Sequence, residues 1–240
     1  MEIESMVSEK KSLNEISRTL SLSKSTAYYW FRRFGGHTVP KVRINYDSEE
    51  NIGELVGIFA GDGNYYLDSG YRHIIKISLN IKDSFYSDYV YALIEKTCNK
   101  KPWKYQELSH NVTAIRIISK ELINLLEEYL DWGANKTLTV HLRQNLEDYG
   151  RDFVIGFLRG LMDTDGYLGN KIAKYTTISF PLARNVEKLL KTLGISSKGY
   201  VYYEKRENRH PIYRIVISKD FDKLISTIKP KHFNHLSTNK

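Results

Sequence analysis

Apolar residues recur along this chain with two periods, and the switches between them divide it into elements. The periodicity predicts a helix over about 48–61, strands at Asn64–Leu67 and Arg72–Leu79, and a helix over about 82–98. Strands near Trp103–Leu108 and Val112–Ile118 follow, then a helix from about Lys120 to Leu130. The same αββαββα order returns later. It comprises a helix over 151–164, strands near Tyr167–Leu168 and Ile172–Ser179, and a helix from Pro181 to Leu193. Strands near Lys198–Glu204 and Ile212–Ser218 precede a last helix over Lys219–Ile228. Within Arg72–Leu79, His73, Ile75, Ile77 and Leu79 alternate with Arg72, Ile74, Lys76 and Ser78, which gives one apolar and one largely basic face. Ahead of both series, Ser12-Leu13-Asn14-Glu15 is a capping box, and Leu13, Ile16 and Leu20 recur at helical spacing. The expected fold is α+β: two pseudo-symmetric αββαββα repeats at 48–135 and 136–240, a linker at 35–47, and a small helical segment at 1–34.

The two repeats open on matching apolar stretches, Ile52–Gly63 and Phe153–Gly166. Each carries glycines four residues apart, Gly53 and Gly57 in one and Gly156 and Gly160 in the other. Glycine inside a helix costs about 1 kcal/mol relative to alanine, so their placement as a flat strip points to two helices packed backbone to backbone. Both stretches end in Asp-Gly, which would bring Asp62 and Asp165 out side by side at two helix C-termini. An Asp-Gly pair can also be a plain helix stop with the glycine left-handed. The dipole disfavours an Asp there by about 0.3–1 kcal/mol, and two carboxylates about 6 Å apart repel by roughly 3 kcal/mol at an effective dielectric near 20. A hard divalent cation reverses the sign of both terms, because Mg²⁺ favours carboxylates, carbonyls and water.

Leu55-Val56-Gly57-Ile58-Phe59-Ala60-Gly61-Asp62-Gly63 and Leu158-Arg159-Gly160-Leu161-Met162-Asp163-Thr164-Asp165-Gly166 both resemble the nine-residue signature of the LAGLIDADG homing endonucleases. The resemblance covers about residues 48–230. It implies a monomer with internal pseudo-two-fold symmetry whose halves pair through the motif helices, with two saddle-shaped sheets in DNA major grooves. It also implies one catalytic acid per motif, Asp62 and Asp165, binding Mg²⁺ or another divalent cation, with the carbonyls of Gly61 and Thr164 as further ligands. Asp163 faces the partner helix by helical phase and reads as an interface residue. The family often places a lysine near the reacting water; Lys136 is the first choice here, and Lys231 holds a comparable place after the second repeat.

Charge adds an asymmetry to this picture. The net charge is +8 and the isoelectric point about 9.3, which favours a polyanionic partner. Residues 1–34 carry +2, 35–150 carry −3 and 151–240 carry +9. The acids of the first repeat lie mainly in predicted helices, while its strands carry Arg72, Lys76, Lys104 and Arg116. The strands of the second repeat carry Lys174 and Arg214. These six are the expected double-stranded DNA contacts of the sheets. A single cysteine, Cys98, excludes an internal disulfide, and it reads as a buried thiol. The absence of an apolar run of about 18 residues or of a leader pattern leads to the expectation of a cytoplasmic protein without membrane contact. No pair of histidines has metal-ligand spacing except His232-x-x-His235; His37, ahead of the repeats, stands alone.

Residues 11–34 resemble the helix-turn-helix of many small DNA-binding domains. In that geometry the second helix offers its early residues to base edges, so Lys24, Ser25, Thr26 and Tyr28 are the expected readers, with Arg32 and Arg33 on phosphates. Three functions remain: a site-specific, metal-dependent double-strand DNA endonuclease, a non-cleaving DNA-binding regulator on the same scaffold, and an RNA-binding splicing cofactor. Both motif carboxylates are present, which favours the first. Protein splicing is not expected, since no Cys or Ser starts the chain and no His precedes the Asn of its closing Thr-Asn-Lys.

Overall fold

The computed structural model describes residues 2–36, 42–203 and 210–232 of the 240. Its chain forms two compact units, one up to residue 41 and one from Val42. His37, Glu204 and His235, each named above, lie outside the described residues.

The first unit holds α1 (Glu2–Ser8), α2 (Leu13–Thr19) and α3 (Lys24–Arg33). The capping box forms as its sequence requires: Glu15 N–H donates to Ser12 Oγ at 3.3 Å, and Ser12 N–H donates to Glu15 Oε2 at 3.4 Å. Ser21 turns the chain with a left-handed φ of 53°, a conformation that glycine adopts more cheaply. Ile16, Ala27 and Phe31 are buried. The pattern above did not predict α1, whose short sequence buries no residue.

Residues 42–45, read above as part of the linker, are tied into the second unit. Val42 is buried, Arg43 N–H donates to Cys98 O at 3.1 Å, and Asn45 N–H donates to Thr97 O at 2.7 Å. The chain then enters α4 (Glu49–Asp62), β1 (Gly63–Leu67), β2 (His73–Asn80), α5 (Ser84–Cys98), β3 (Trp103–Glu107), β4 (Val112–Ile118) and α6 (Lys120–Tyr129). A small ribbon, β5 (Leu130–Asp131) with β6 (His141–Leu142), encloses the one-turn α7 (Lys136–Thr139). Elements this short carry too few periods to be read from sequence. The second repeat runs α8 (Arg151–Asp165), β7 (Gly166–Gly169), β8 (Ile172–Thr177), α9 (Phe180–Thr192), β9 (Lys198–Tyr202), β10 (Ile212–Ile217) and α10 (Phe221–Ile228).

Each repeat contributes one antiparallel four-stranded sheet, ordered β1-β2-β4-β3 and β7-β8-β10-β9. Ile75, Ile77, Leu79, Ile115 and Ile117 of the first sheet, and Ala173, Tyr175, Ile215 and Ile217 of the second, join one continuous core with the helices. Because neighbours in register share a face, the opposite faces are also determined. Lys76 and Arg116 are paired in the first sheet, and Arg214 and Tyr200 in the second.

At the centre α4 packs along α8, with the two helices running in the same direction. A Cβ at Gly53 would strike the carbonyl oxygen of Phe153, one at Gly57 that of Phe157, one at Gly156 that of Glu50, and one at Gly160 that of Glu54. All four glycines are therefore required by backbone contact, not by backbone dihedral angles. The helices are also tied by charge: the buried Arg159 donates to Glu54 Oε2 at 2.8 Å and to Glu50, with a third bond to Ile228 O. Two helical acids of the first repeat, Glu50 and Glu54, thus neutralise an internal arginine.

Candidate active site

Asp62 and Asp165 are the last residues of α4 and α8 and emerge at the same end of the pair. A Cβ at Gly61 would meet Thr164 Oγ1 and lie 2.9 Å from Asp165 Oδ2, so the second carboxylate rests against the residue that precedes the first. The left-handed glycine stop is not used. Gly63 and Gly166 are extended, at φ −80° and −91°, and each strand starts directly from its helix. Glycine is needed here because a Cβ would collide with Phe59 at Gly63 and with the Met162 carbonyl at Gly166.

Lys136 reaches this end from α7. Its Nζ donates to the carbonyls of Phe59 and Ala60 at 2.8 Å and of Gly61 at 3.2 Å, and it lies 5.2 Å from the Phe59 ring centroid. An ammonium group thus caps the last carbonyls of the helix, that of Phe59 being shared with the Gly63 N–H, at an end where the dipole favours a cation. A cleft lined by Gly61, Asp62, Tyr65, Trp132, Asn135 and Lys136 opens beside it.

The protonation balance of the site is shifted. Partial desolvation, with the charge of Asp165 beside it, pushes Asp62 up to about 7, against the pull of Lys136. Asp165 is raised by the same desolvation. Lys136 is lowered to about 8, because the protein around it disfavours its charge more than the two carboxylates favour it. Two acids that resist ionisation and one amine that gives up its proton readily make up a site short of positive charge. Asp62, Asp165 and the carbonyls of Gly61 and Thr164 are hard oxygen donors. They are too few for a closed cage, which suits an ion that keeps part of its water shell, as Mg²⁺ does. No cluster of three or more His, Cys, Asp or Glu suited to a metal occurs among the described residues.

Other residues named from the sequence lie elsewhere. Asp163 is buried, but its carboxylate accepts the N–H groups of Lys231 at 2.9 Å and His232 at 3.1 Å, so it fastens the chain after α10. Lys231 Nζ lies over Tyr89 at 5.5 Å. Cys98 is buried and its thiol is pushed up to about 12.

Of the sheet cations, Lys104 is on the helix side of its sheet, paired with Asp88 of α5 at 2.6 Å. It sits opposite buried Ile115 in the register, not opposite Arg116. Lys76 is on the open face but is bound to Glu107 at 2.6 Å, and Arg72 is bound to Asp68 in the hairpin turn. Arg116 is on the open face and lines a shallow hollow with Trp103 and Tyr105. In the second sheet Lys174 lies over Tyr167 at 5.2 Å and Arg214 over Tyr202 at 4.7 Å. Sequence reasoning missed Glu107, Lys198, Tyr167 and Tyr202 as members of these faces, although strand alternation alone assigns their side. On α3, Lys24, Ser25, Thr26 and Tyr28 are exposed. Arg33 lies over Trp30 at 5.3 Å, Arg32 is exposed, and Ser23 Oγ accepts from Thr26 N–H at 3.1 Å.

The paired motif helices with a carboxylate at each end, flanked by two antiparallel sheets, define the LAGLIDADG fold, and residues 152–229 match the family model of the LAGLIDADG-like domain. Mesophilic variants of the homing endonuclease I-DmoI are similar in structure, with a TM-score of 0.55 and 19% identity over 75% of this chain and 95% of theirs. I-DmoI in complex with DNA and Mn gives 0.54 and 19%, over 75% of this chain and 96% of its own. The N-terminal LAGLIDADG domain of WhiA gives 0.51 and 20%, over 78% and 86%. In sequence, the ATP-dependent DNA helicase Hel308 of Thermococcus kodakarensis is 24% identical over 174 residues, 68% of this chain. The chain spans only 15% of that helicase's length. Among the described residues, no helix is long and apolar enough to cross a membrane.

Proposed function

We propose that this chain is a metal-dependent, site-specific endonuclease acting on double-stranded DNA. The observation that carries the reading is the pair Asp62 and Asp165 at adjoining helix ends with the Lys136 ammonium bound to the last carbonyls of α4. Asp62, Asp165 and the Gly61 and Thr164 carbonyls would hold Mg²⁺ or a similar ion; when bound, such an ion activates water and stabilises the leaving oxygen of a phosphodiester. An ion held by Asp62 and Asp165 would place the scissile phosphates between the repeats, since both carboxylates project from the paired helices. Lys136, lowered to about 8, would turn at least one N–H from the carbonyls it now caps toward the attacking water, and take up or release a proton at Nζ. I-DmoI has been solved with DNA and with Mn, Ca or Mg, which supports the same partner and cofactor class here. The first unit reads as a helix-turn-helix that adds contacts through α3, with Lys24, Ser25, Thr26 and Tyr28 at base edges and Arg32 and Arg33 at phosphates.

The test is cleavage of a randomised duplex library with Mg²⁺, followed by sequencing of cut ends. Discrete cut sites are expected, and Asp62→Asn or Asp165→Asn should lower cleavage by about 10³-fold or more while duplex binding persists. Cutting that survives in the double variant would refute the assignment. A parent that binds one duplex tightly and cuts none would be a non-cleaving DNA-binding protein on this fold.

A further inference from the structure

The strand registers allow the two sheets to be superposed position by position, since β1 starts at Gly63 opposite Ile77 and β7 at Gly166 opposite Tyr175. Counting from these pairs, Lys76 of β2 corresponds to Lys174 of β8. Continuing across each sheet, Ala114 corresponds to Arg214, Trp103 to Lys198, and Glu107 to Tyr202. The same lysine position therefore has opposite surroundings in the two halves. In the first sheet Lys76 Nζ is held by Glu107 at 2.6 Å. In the second, the position of that glutamate is a tyrosine, half exposed, with Arg214 lying over its ring at 4.7 Å. Lys174 lies over the half-exposed Tyr167, and Lys198 is exposed at the edge strand. Among the described residues, no carboxylate forms an ion pair with Lys174, Lys198 or Arg214.

Within the DNA-binding reading above, we propose that the two sheets grip the duplex unequally: the second sheet anchors the phosphate backbone, while Glu107 occupies Lys76 as a phosphate would and holds the first sheet in reserve. Charge on the open faces supports this. Arg116 is the first sheet's cation without a carboxylate partner among the described residues, against three such cations in the second. An ion pair that must open before a phosphate is contacted returns little, because the new pair replaces an old one. Cations laid over aromatic rings keep their charge and are held extended. Counterion release then comes mainly from the second half, in line with its charge of +9.

The test uses the full chain and a random-sequence duplex of about 30 base pairs, with affinity measured between about 50 and 200 mM salt. Lys174→Met, Arg214→Gln and Lys198→Met should each weaken binding several-fold and reduce the slope of log affinity against log salt by about 0.9. Lys198→Met, at an exposed edge, keeps the test independent of folding. Lys76→Met should change the slope by less than about 0.3, whereas Glu107→Gln, which frees Lys76, should tighten binding and steepen the slope by about 0.9. The proposal is overturned if Lys76→Met costs as much as Arg214→Gln, or if Glu107→Gln leaves affinity and slope unchanged. A parent without any salt-dependent duplex affinity would overturn the DNA-binding reading itself, a result distinct from symmetric loss in the two halves.

Discussion

The two motif helices are alike along their length and unlike at their ends. Between Gly53 and Gly160 each presents glycines to the other's carbonyls, with the same spacing in both copies. At the end of α4, the carbonyls of residues 59–61 receive the Lys136 ammonium. At the end of α8, Thr164 Oγ1 bonds back to the carbonyls of Gly160 at 3.0 Å and Leu161 at 3.2 Å, and Asp163 binds the backbone after α10. Lys231, the lysine that follows the second repeat, lies over Tyr89. The difference teaches that a duplicated motif reproduces what lies within the helix, while what a later segment brings to its end is not duplicated. Two equivalent carboxylates share one lysine.

The strongest challenge to the shared part is to fill the glycine strip. Gly57→Leu and Gly160→Leu should each cost about 3 kcal/mol or more, since the added side chain meets backbone and not a movable tip. Either variant melting within a degree or two of the parent would disprove the close backbone packing. The unequal ends are tested by a pair of lysine changes. Lys136→Met should slow cleavage by about 10²-fold, at the low end of proton-transfer effects, and Lys231→Met should alter it less than about twofold. Equal losses would restore a symmetric site.

Smaller effects sharpen the contrast. Asp163→Ala leaves two backbone N–H groups unpaired and should cost about 1–3 kcal/mol in thermal or denaturant unfolding, with Mg²⁺ dependence of cleavage unchanged. A shift in that dependence would make Asp163 part of the metal site. The smallest is a pH effect on the metal-free protein. Asp62 is held at about 7 against an ordinary 3.8, so between about pH 4 and 7 the folded state binds more protons than the unfolded one. Its contribution to stability therefore falls as pH rises through that window. Asp62→Asn removes this penalty: it should match the parent near pH 4 and exceed it at pH 8, because desolvation and the Asp165 charge, which hold Asp62 up, act only on its ionised form. A variant less stable than the parent at pH 8 would show that Asp62 is stabilised where it sits.

Much of the architecture was legible because it is periodic and local. Val112–Ile118 was bounded to the residue, and the helix pair with its paired carboxylates was legible from Gly53, Gly57, Gly156 and Gly160, since spacing along one helix determines which residues share a face. The capping box at Ser12 was equally legible, because it involves only four consecutive residues. What could not be read lies in pairings between distant segments. Lys104 was grouped with Lys76 and Arg116 by composition, but alternation places it on the other side of β3, against Asp88. Glu50 and Glu54 could be assigned to a helix but not to a partner, because Arg159, more than 100 residues away, meets them only in the folded helix pair. A left-handed stop was the alternative reading of the glycines after Asp62 and Asp165, and the path of β1 and β7 across the last helical turn shows that room, not torsion, requires them.

The sequence by itself determined the repeated order of elements, the helix pairing and the two carboxylates, because each rests on a period or a motif within some fifteen residues. The tertiary structure alone decided that the Lys136 ammonium reaches the end of α4 while the Lys231 ammonium lies over Tyr89, its backbone alone meeting α8 through Asp163, and which strand cations already have acids of their own. Those outcomes depend on where a segment returns to in space, and hydrophobic patterning, which specifies the inner face of each element, carries no information about which charges meet at the outer one.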